Sequence, residues 1–373
     1  MRRRVQLPIS VVEAANKRII NAFSNGVNVY LTLSGGKDSI VLADLVYQLA
    51  RQGRIDVDLL KVVFIDEEAI FDDVERIVKD WRRRFLAVGA EVRWYCLEVM
   101  HFNCFNSLTQ EETFICWDSE ASDRWVRPRP SFAITDHPLL KPRRENYQSF
   151  LAKATADGIT MTGLRLSESI QRLLSFRQDY SKASQMFSPL YDWKDSDVWL
   201  YISEHELEFP ATYMHLYQVG RSRRQMRISQ FFSVDTAQSL VKLAEYEPDL
   251  MDRVQRREPN AYLAALYWDT EMFRRAGGSG ESRSSAGKDV ADNGGERPDY
   301  KAMTLERMQS PEQLATREGR RLAMRFRRAL VTVSAEMQET DWKAAYGMLI
   351  GGDPKDRALR GIMGTVKSRR KKH

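Results

Sequence analysis

This sequence predicts an α/β fold, a doubly wound parallel sheet with a helical C-terminal extension, on three observations. Strand-length apolar runs alternate with amphipathic stretches from residue 10 to residue 163, the pattern of a parallel sheet covered on both faces. A polar and glycine-rich run, SGGKDS at 34–39, separates the first of those strands from the helix after it. Beyond Trp193 the periodicity turns helical and stays so, apart from a Gly/Ser-rich stretch at 276–298.

The elements follow in order. Residues 10–25 form a helix with apolar positions at Val11, Val12, Ala15, Ile19, Ile20 and Phe23. GVNVYLTL, opened by Gly26, is a buried strand, and SIVLADLVYQLARQG, from Ser39, is a helix stopped by Gly53. LLKVVFI is a second strand, followed by a helix over 71–88 and a third strand, EVRWYCLEV. An irregular stretch over 101–142, rich in aromatics and prolines, precedes a helix near 145–156 and a fourth strand, GITMTGL. DSDVWLYISEHEL opens a helical region that runs to Arg275. The expected division is 1–205 for the nucleotide-binding α/β domain, 206–275 for a helical extension, 276–298 for a flexible linker and 299–373 for a basic helical region.

Composition narrows the function classes. The chain has 373 residues, a formal charge of +6 and three cysteines, Cys96, Cys104 and Cys116. An odd, loosely spaced set without a CxxC pair is neither a disulfide framework nor a zinc ribbon, and nothing in it calls for an iron–sulfur cluster. No apolar run approaches the roughly 20 residues of a membrane span, and MRRRVQLPIS has no apolar signal core, so a cytoplasmic protein is expected. Residues 299–373 hold 17 Lys and Arg against 9 Asp and Glu. Basicity gathered at one end suits DNA or another acidic partner, and equally a solvated helical surface.

A glycine-rich turn between strand and helix is an anion site: backbone N–H groups converge and the helix N-terminus adds positive potential. Lys37 supplies a full charge. The run is not a Walker A loop, because Leu31 stands where its first glycine belongs and Asp38 follows the lysine. A GxGxxG fingerprint is absent too. Lys37, in such a loop, is expected to be exposed.

SGGKDS resembles the pyrophosphate loop (PP-loop) of the adenine nucleotide α-hydrolase-like superfamily, which includes ATP pyrophosphatases, tRNA thiolation enzymes and phosphoadenosine phosphosulfate (PAPS) reductases. Further stretches point to the PAPS-reductase-like members: VVFIDEEAIF with Asp66 and Glu67, GLRLSESIQR with Gly163, Arg165 and Arg172, and FSPLYDWKDSDVWLYI. FICWDSEASDRWVRPRP and YMHLYQVGRSRRQMRIS are similar to segments of the Ibr-type coactivators of phages and bacteria. That resemblance spans about residues 25–235 and implies a ParB-like partner and a link to DNA.

The resemblance implies roles. Ser34, Gly35, Gly36, Lys37, Asp38 and Ser39 would hold the phosphates of ATP, PAPS or APS at the carboxyl edge of the sheet. Asp38 would place Mg²⁺ or else cap the helix beginning at Ser39. Asp66 and Glu67 would meet the nucleoside, Asp66 alternatively being a solvated strand end. Gly163 and Arg165 would join the nucleotide site, with Arg165 and Arg172 on its phosphate or sulfate oxygens. Lys37, Asp38, Arg165 and Arg172 are the catalytic candidates. Trp193 and Trp199 are expected in the core, and none of the five histidines has metal-ligand spacing. One departure from the reductases matters: no cysteine follows Cys116, so the thiol of their C-terminal Glu-Cys-Gly motif is missing. Three readings stand: an ATP pyrophosphatase that adenylates an acceptor, a non-catalytic nucleotide-sensing coactivator, and a PAPS- or APS-using enzyme with a thiol supplied in trans. Cys116 is the foremost internal thiol, and a homo-oligomer is compatible with each.

Overall fold

The computed structural model describes residues 9–103, 113–166, 186–221, 226–228, 230–231, 244–259, 261, 299–309, 326, 337–351 and 357–370. The chain divides into two compact units. The first comprises Met1–His101, Ile115–Phe231 and Ser239–Pro259; the second comprises Phe102–Phe114, Phe232–Gln238 and Asn260–His373.

In the first unit, α1 (Val11–Phe23) starts where the Ser10 hydroxyl accepts the Glu13 N–H at 3.0 Å. Its buried stripe of Ala15, Ile19 and Phe23 leads through Gly26, at φ +66°, into β1 (Asn28–Thr32). Helix α2 (Lys37–Arg51) begins two residues earlier than its apolar pattern suggests, because Gly36 is the extended N-cap. Ile40 to Val46 are buried almost all round, as expected of a helix inside a layered domain. β2 (Leu60–Ile65) leads to α3 (Asp72–Ala87), whose acidic first turn of Asp72, Asp73 and Glu75 complements the helix dipole.

β3 (Glu91–Tyr95) ends sooner than the apolar run implies, since Cys96 N–H turns to the carbonyl of Ile134. The short strands β4 (Met100–Phe102) and β5 (Thr113–Ile115) follow. Asn146 caps α4 (Tyr147–Ala154), and β6 (Gly158–Met161) is followed by the two-residue β7 (Met186–Phe187). The main sheet runs β3-β2-β1-β6-β7, with every pair parallel. β1 is central, with Val29 in register with Leu60 on one side and with Ile159 on the other. The connections diverge from β1, so its carboxyl end is the switch point where such sheets form a crevice.

Three more helices complete the unit: α5 (Asp195–Glu204), α6 (Thr212–Gln218) and α7 (Pro248–Arg257). The Tyr201 hydroxyl donates to buried Asp44 at 2.8 Å and pins α5 to α2. Trp193 is buried against Tyr201, while Trp199 is half-buried against Phe209 and Tyr213.

The second unit contains α8 (Tyr300–Gln309), α9 (Glu339–Gly351) and α10 (Arg357–Arg370). Met308, Phe326, Trp342, Ala345, Leu349, Leu359, Ile362 and Val366 form its own buried core. The stretch at 276–298 and Cys104 lie outside the described residues. Among the described residues, no helix is long and apolar enough to cross a membrane.

Candidate functional site

The loop between β1 and α2 is built by its glycines. Gly35 sits at φ +75°, and a Cβ there would lie 2.6 Å from Val74 Cγ1 of α3. Only glycine supplies both that conformation and that closeness. Gly163, after β6, presses its backbone onto the Asp38–Ser39 peptide, where an added Cβ would stand 3.0 Å from Ser39 N. Ser39 is a brace inside the loop. Its hydroxyl donates to the Gly36 carbonyl at 2.8 Å and accepts the Ser34 N–H at 3.2 Å, with the Ser34 hydroxyl 3.1 Å away. Among the described residues, the N–H groups of Gly35, Gly36, Asp38 and Ser39 make no hydrogen bond. Unpaired donors gathered at a helix N-terminus are the makings of an anion cradle.

Two cations and two carboxylates flank it. Lys37 Nζ lies 3.3 Å from Asp38 Oδ2 and 3.6 Å from Asp195 Oδ1. Arg165 donates to Asp38 at 2.5 Å through Nε, and its Nη2 is 3.2 Å from Asp195 Oδ1. Lys37 is only 7% exposed and Arg165 3%, so the lysine is not the exposed loop residue that the sequence suggests. Its Nζ lies over the Tyr213 ring, 5.6 Å from the ring centroid. Asp38 does not cap α2: the N-cap is Gly36, which has no side chain to accept a bond, and Asp38 faces Lys37 and Arg165 instead. Asp195, from the first turn of α5, and Tyr213, from α6, are additions that the sequence reading missed. The Tyr213 hydroxyl accepts the Lys37 N–H at 3.0 Å. The one sequence signal for Asp195 was its place in the DWKDSDVW stretch.

Asp66 and Glu67 end the second strand, but they do different things. Asp66 is fully buried, neither a solvated strand end nor open to a ligand. It accepts from Trp94 Nε1 at 2.9 Å and from the Glu68 N–H at 3.0 Å, and it is ion-paired with Arg127. Glu68, at φ +63°, is also fully buried. It takes the Trp117 N–H at 2.7 Å and Arg257 Nε at 2.9 Å. Burial pushes its carboxyl above the usual carboxylate range, against the lowering pull of Arg257. This network ties β2 to residues 117–127 and to α7, and it is a scaffold in the ordinary sense of a paired buried charge set. Glu67 is half-buried, with Oε1 3.7 Å from His101 Nε2.

Cys96 and Cys116 are buried free thiols, and burial pushes both well above their usual range, so neither is a ready thiolate. Arg172 lies outside the described residues, and so does any helical pairing of Arg165 with it. Among the described residues, no group of three or more His, Cys, Asp or Glu side chains is placed to hold a metal.

Residues 138–278 match the family model described as phosphoadenosine phosphosulfate reductase domain. The match holds Gly163, Arg165, Asp195 and Tyr213 and begins beyond the Ser34–Ser39 loop. The Escherichia coli (strain K12) protein "Uncharacterized protein YbdN" is 31% identical over 273 residues, 66% of this chain, and the match spans 64% of that relative's length. Among solved structures, the phosphate complex of phosphoadenylyl-sulfate (PAPS) reductase from Candida auris aligns with a TM-score of 0.34 at 16% identity, covering 61% of this chain and 90% of that one. The U34-tRNA thiolase NcsA from Methanococcus maripaludis, solved with its 4Fe-4S cluster, aligns with a TM-score of 0.31 at 13% identity, covering 67% and 80%.

Proposed function

We propose that this protein binds an adenine nucleotide with its phosphates in the Ser34–Ser39 loop and works as an ATP pyrophosphatase that adenylates an acceptor. One observation carries the reading: among the described residues, the N–H groups of Gly35, Gly36, Asp38 and Ser39 make no hydrogen bond, in the loop that also holds buried Lys37 and is paired through Asp38 with buried Arg165. In this reaction an acceptor oxygen attacks the α-phosphorus. The bond from that phosphorus to the α,β-bridging oxygen breaks, and pyrophosphate leaves with the electron pair. The loop N–H groups and Lys37 stabilise charge gathering on the leaving pyrophosphate. Arg165 would pair with the neighbouring phosphate oxygens.

Asp38 and Asp195 fit Mg²⁺, a hard cation that takes carboxylate oxygens, because both already present oxygens to the cations of this cluster. When bound, it would neutralise charge between adjacent phosphates.

The family match over 138–278 favours a second reading, use of PAPS or APS with a thiol brought by a partner. The burial of Cys96 and Cys116 supports a thiol in trans for that chemistry over an internal one. A ParB-like protein and DNA are the partners we propose for the chain as an Ibr-type coactivator, the excess of basic residues over 299–373 being the support for DNA.

Product analysis of Mg²⁺-ATP incubated with the protein, with and without DNA, tests the first reading against Lys37→Gln. AMP and pyrophosphate that disappear in the variant are expected. Intact ATP with retained binding would move the assignment to nucleotide sensing, and tighter binding of PAPS than of ATP would move it to the thiol-dependent reaction.

A further inference from the structure

Tyr213 is the second residue of α6 and only 2% exposed. Its hydroxyl stands on the phosphate loop, 3.4 Å from where a Gly36 Cβ would be. It accepts the N–H of Lys37, the first residue of α2, and among the described residues its own O–H has no acceptor. A phenol can accept and donate at once, and a buried donor left without an acceptor is costly. The placement is held from several sides. Asp73 of α3 accepts both the N–H and the hydroxyl of Thr212, at 2.9 Å and 3.0 Å. Trp199 meets the Tyr213 ring edge-on at 5.5 Å, and His215 Nδ1 lies 3.2 Å from Glu247. Burial raises the Tyr213 hydroxyl above its usual range, so it keeps its proton at neutral pH.

Resting on the nucleotide reading above, we propose that Tyr213 is a phosphate-contacting residue: its hydroxyl fixes the first N–H of α2 and donates its own proton to an oxygen of the pyrophosphate held in the Ser34–Ser39 loop. The apolar ring covers Lys37 and the hydroxyl supplies a fifth donor beside the four free N–H groups. The substrate class is therefore a di- or triphosphate, bound through its terminal phosphates. Replacing the hydroxyl removes its bond to a charged oxygen together with the Lys37 N–H bond it accepts, and leaves the nucleoside contacts alone.

The test is calorimetric titration of the full-length protein, Tyr213→Phe and Lys37→Gln with Mg²⁺-pyrophosphate and with Mg²⁺-α,β-methylene-ATP. Tyr213→Phe is expected to weaken both by about ten-fold, equivalent to about 1.4 kcal/mol, with an unchanged melting temperature to within a few degrees. 3-Fluorotyrosine at position 213 gives a readout that a packing role would not move: its ¹⁹F resonance should shift on addition of pyrophosphate and not on addition of adenosine. Wild-type affinity in Tyr213→Phe, beside loss of binding in Lys37→Gln, would overturn the role of Tyr213 and leave the nucleotide site standing. Should Tyr213→Phe unfold, an unmoved ¹⁹F resonance under saturating pyrophosphate would overturn it instead. No binding of either ligand by the unaltered protein would bring down both this inference and the nucleotide reading.

Discussion

Gly35 is the residue whose replacement most directly tests the loop's construction. A methyl group there meets Val74 Cγ1 at 2.6 Å while the backbone is held at φ +75°. Gly35→Ala should cost about 2–4 kcal/mol, from overpacking and left-handed strain together, read as a lower urea midpoint with an unchanged slope. Arg127 makes a second case. Its removal leaves Asp66 buried and unpaired, so Arg127→Met should cost about 3–5 kcal/mol, by the same measurement. At this scale the loop from Ser34 to Ser39 was legible, because a local run of glycine and polar residues between strand and helix has few other uses. Tyr213 was not: it reaches the loop across 176 residues, and a tyrosine on a short helix gives no local sign of what its hydroxyl meets. The burial of Lys37 was missed for the same reason, since the cover over it comes from α6.

Among the elements, α6 depends on Asp73 for its start. Asp73→Ala frees the Thr212 N–H and hydroxyl, and should lower stability by about 1 kcal/mol. Amide exchange at 212–216 should rise in that variant, and an unchanged exchange pattern would count against the anchor. β1 is tied to the turn before β6 by the Tyr30 hydroxyl, which donates to Asp157 at 2.6 Å. Burial and that carboxylate push the Tyr30 hydroxyl up to about 12 from its ordinary value of 10.0. The contribution is therefore full from above the acid range in which Asp157, held below its usual value by the same bond, takes a proton, up to about pH 10, and is lost as pH rises through about 12. Urea midpoints of wild type minus those of Tyr30→Phe should be flat from neutral pH up to about pH 10 and then fall; a flat difference to pH 12 would refute the shift. β1, β2, β3 and β6 and their helices were legible because apolar periodicity changes where elements change, whereas the three-residue β4 and β5 fall at the start of and within the stretch read as irregular. β7 was not, being two residues long, and the early end of β3 depends on Ile134, which no periodicity reveals.

For the whole molecule, the core of the second unit gives the basic C-terminal region its own demand on packing. Trp342→Ala should destabilise that unit by about 3–5 kcal/mol, visible in calorimetry as a transition that moves while the other does not. The sheet order holds a different consequence, which concerns synthesis. β1 has β2 on one side from early in the chain, but its other edge waits for β6, and the Tyr30–Asp157 bond closes a separation of 127 residues. At roughly 5–20 residues per second on the ribosome, that edge stays open for about 6–25 seconds. Val29, Tyr30 and Leu31, all buried once folded, lie along it. A nascent chain stalled before β6 would offer a flat apolar edge to other chains, the pairing template that finished sheets avoid. The central strand of the mature sheet thus keeps one edge open during translation, and the Ser34–Ser39 loop at its end meets the Gly163 backbone only after β6 is made.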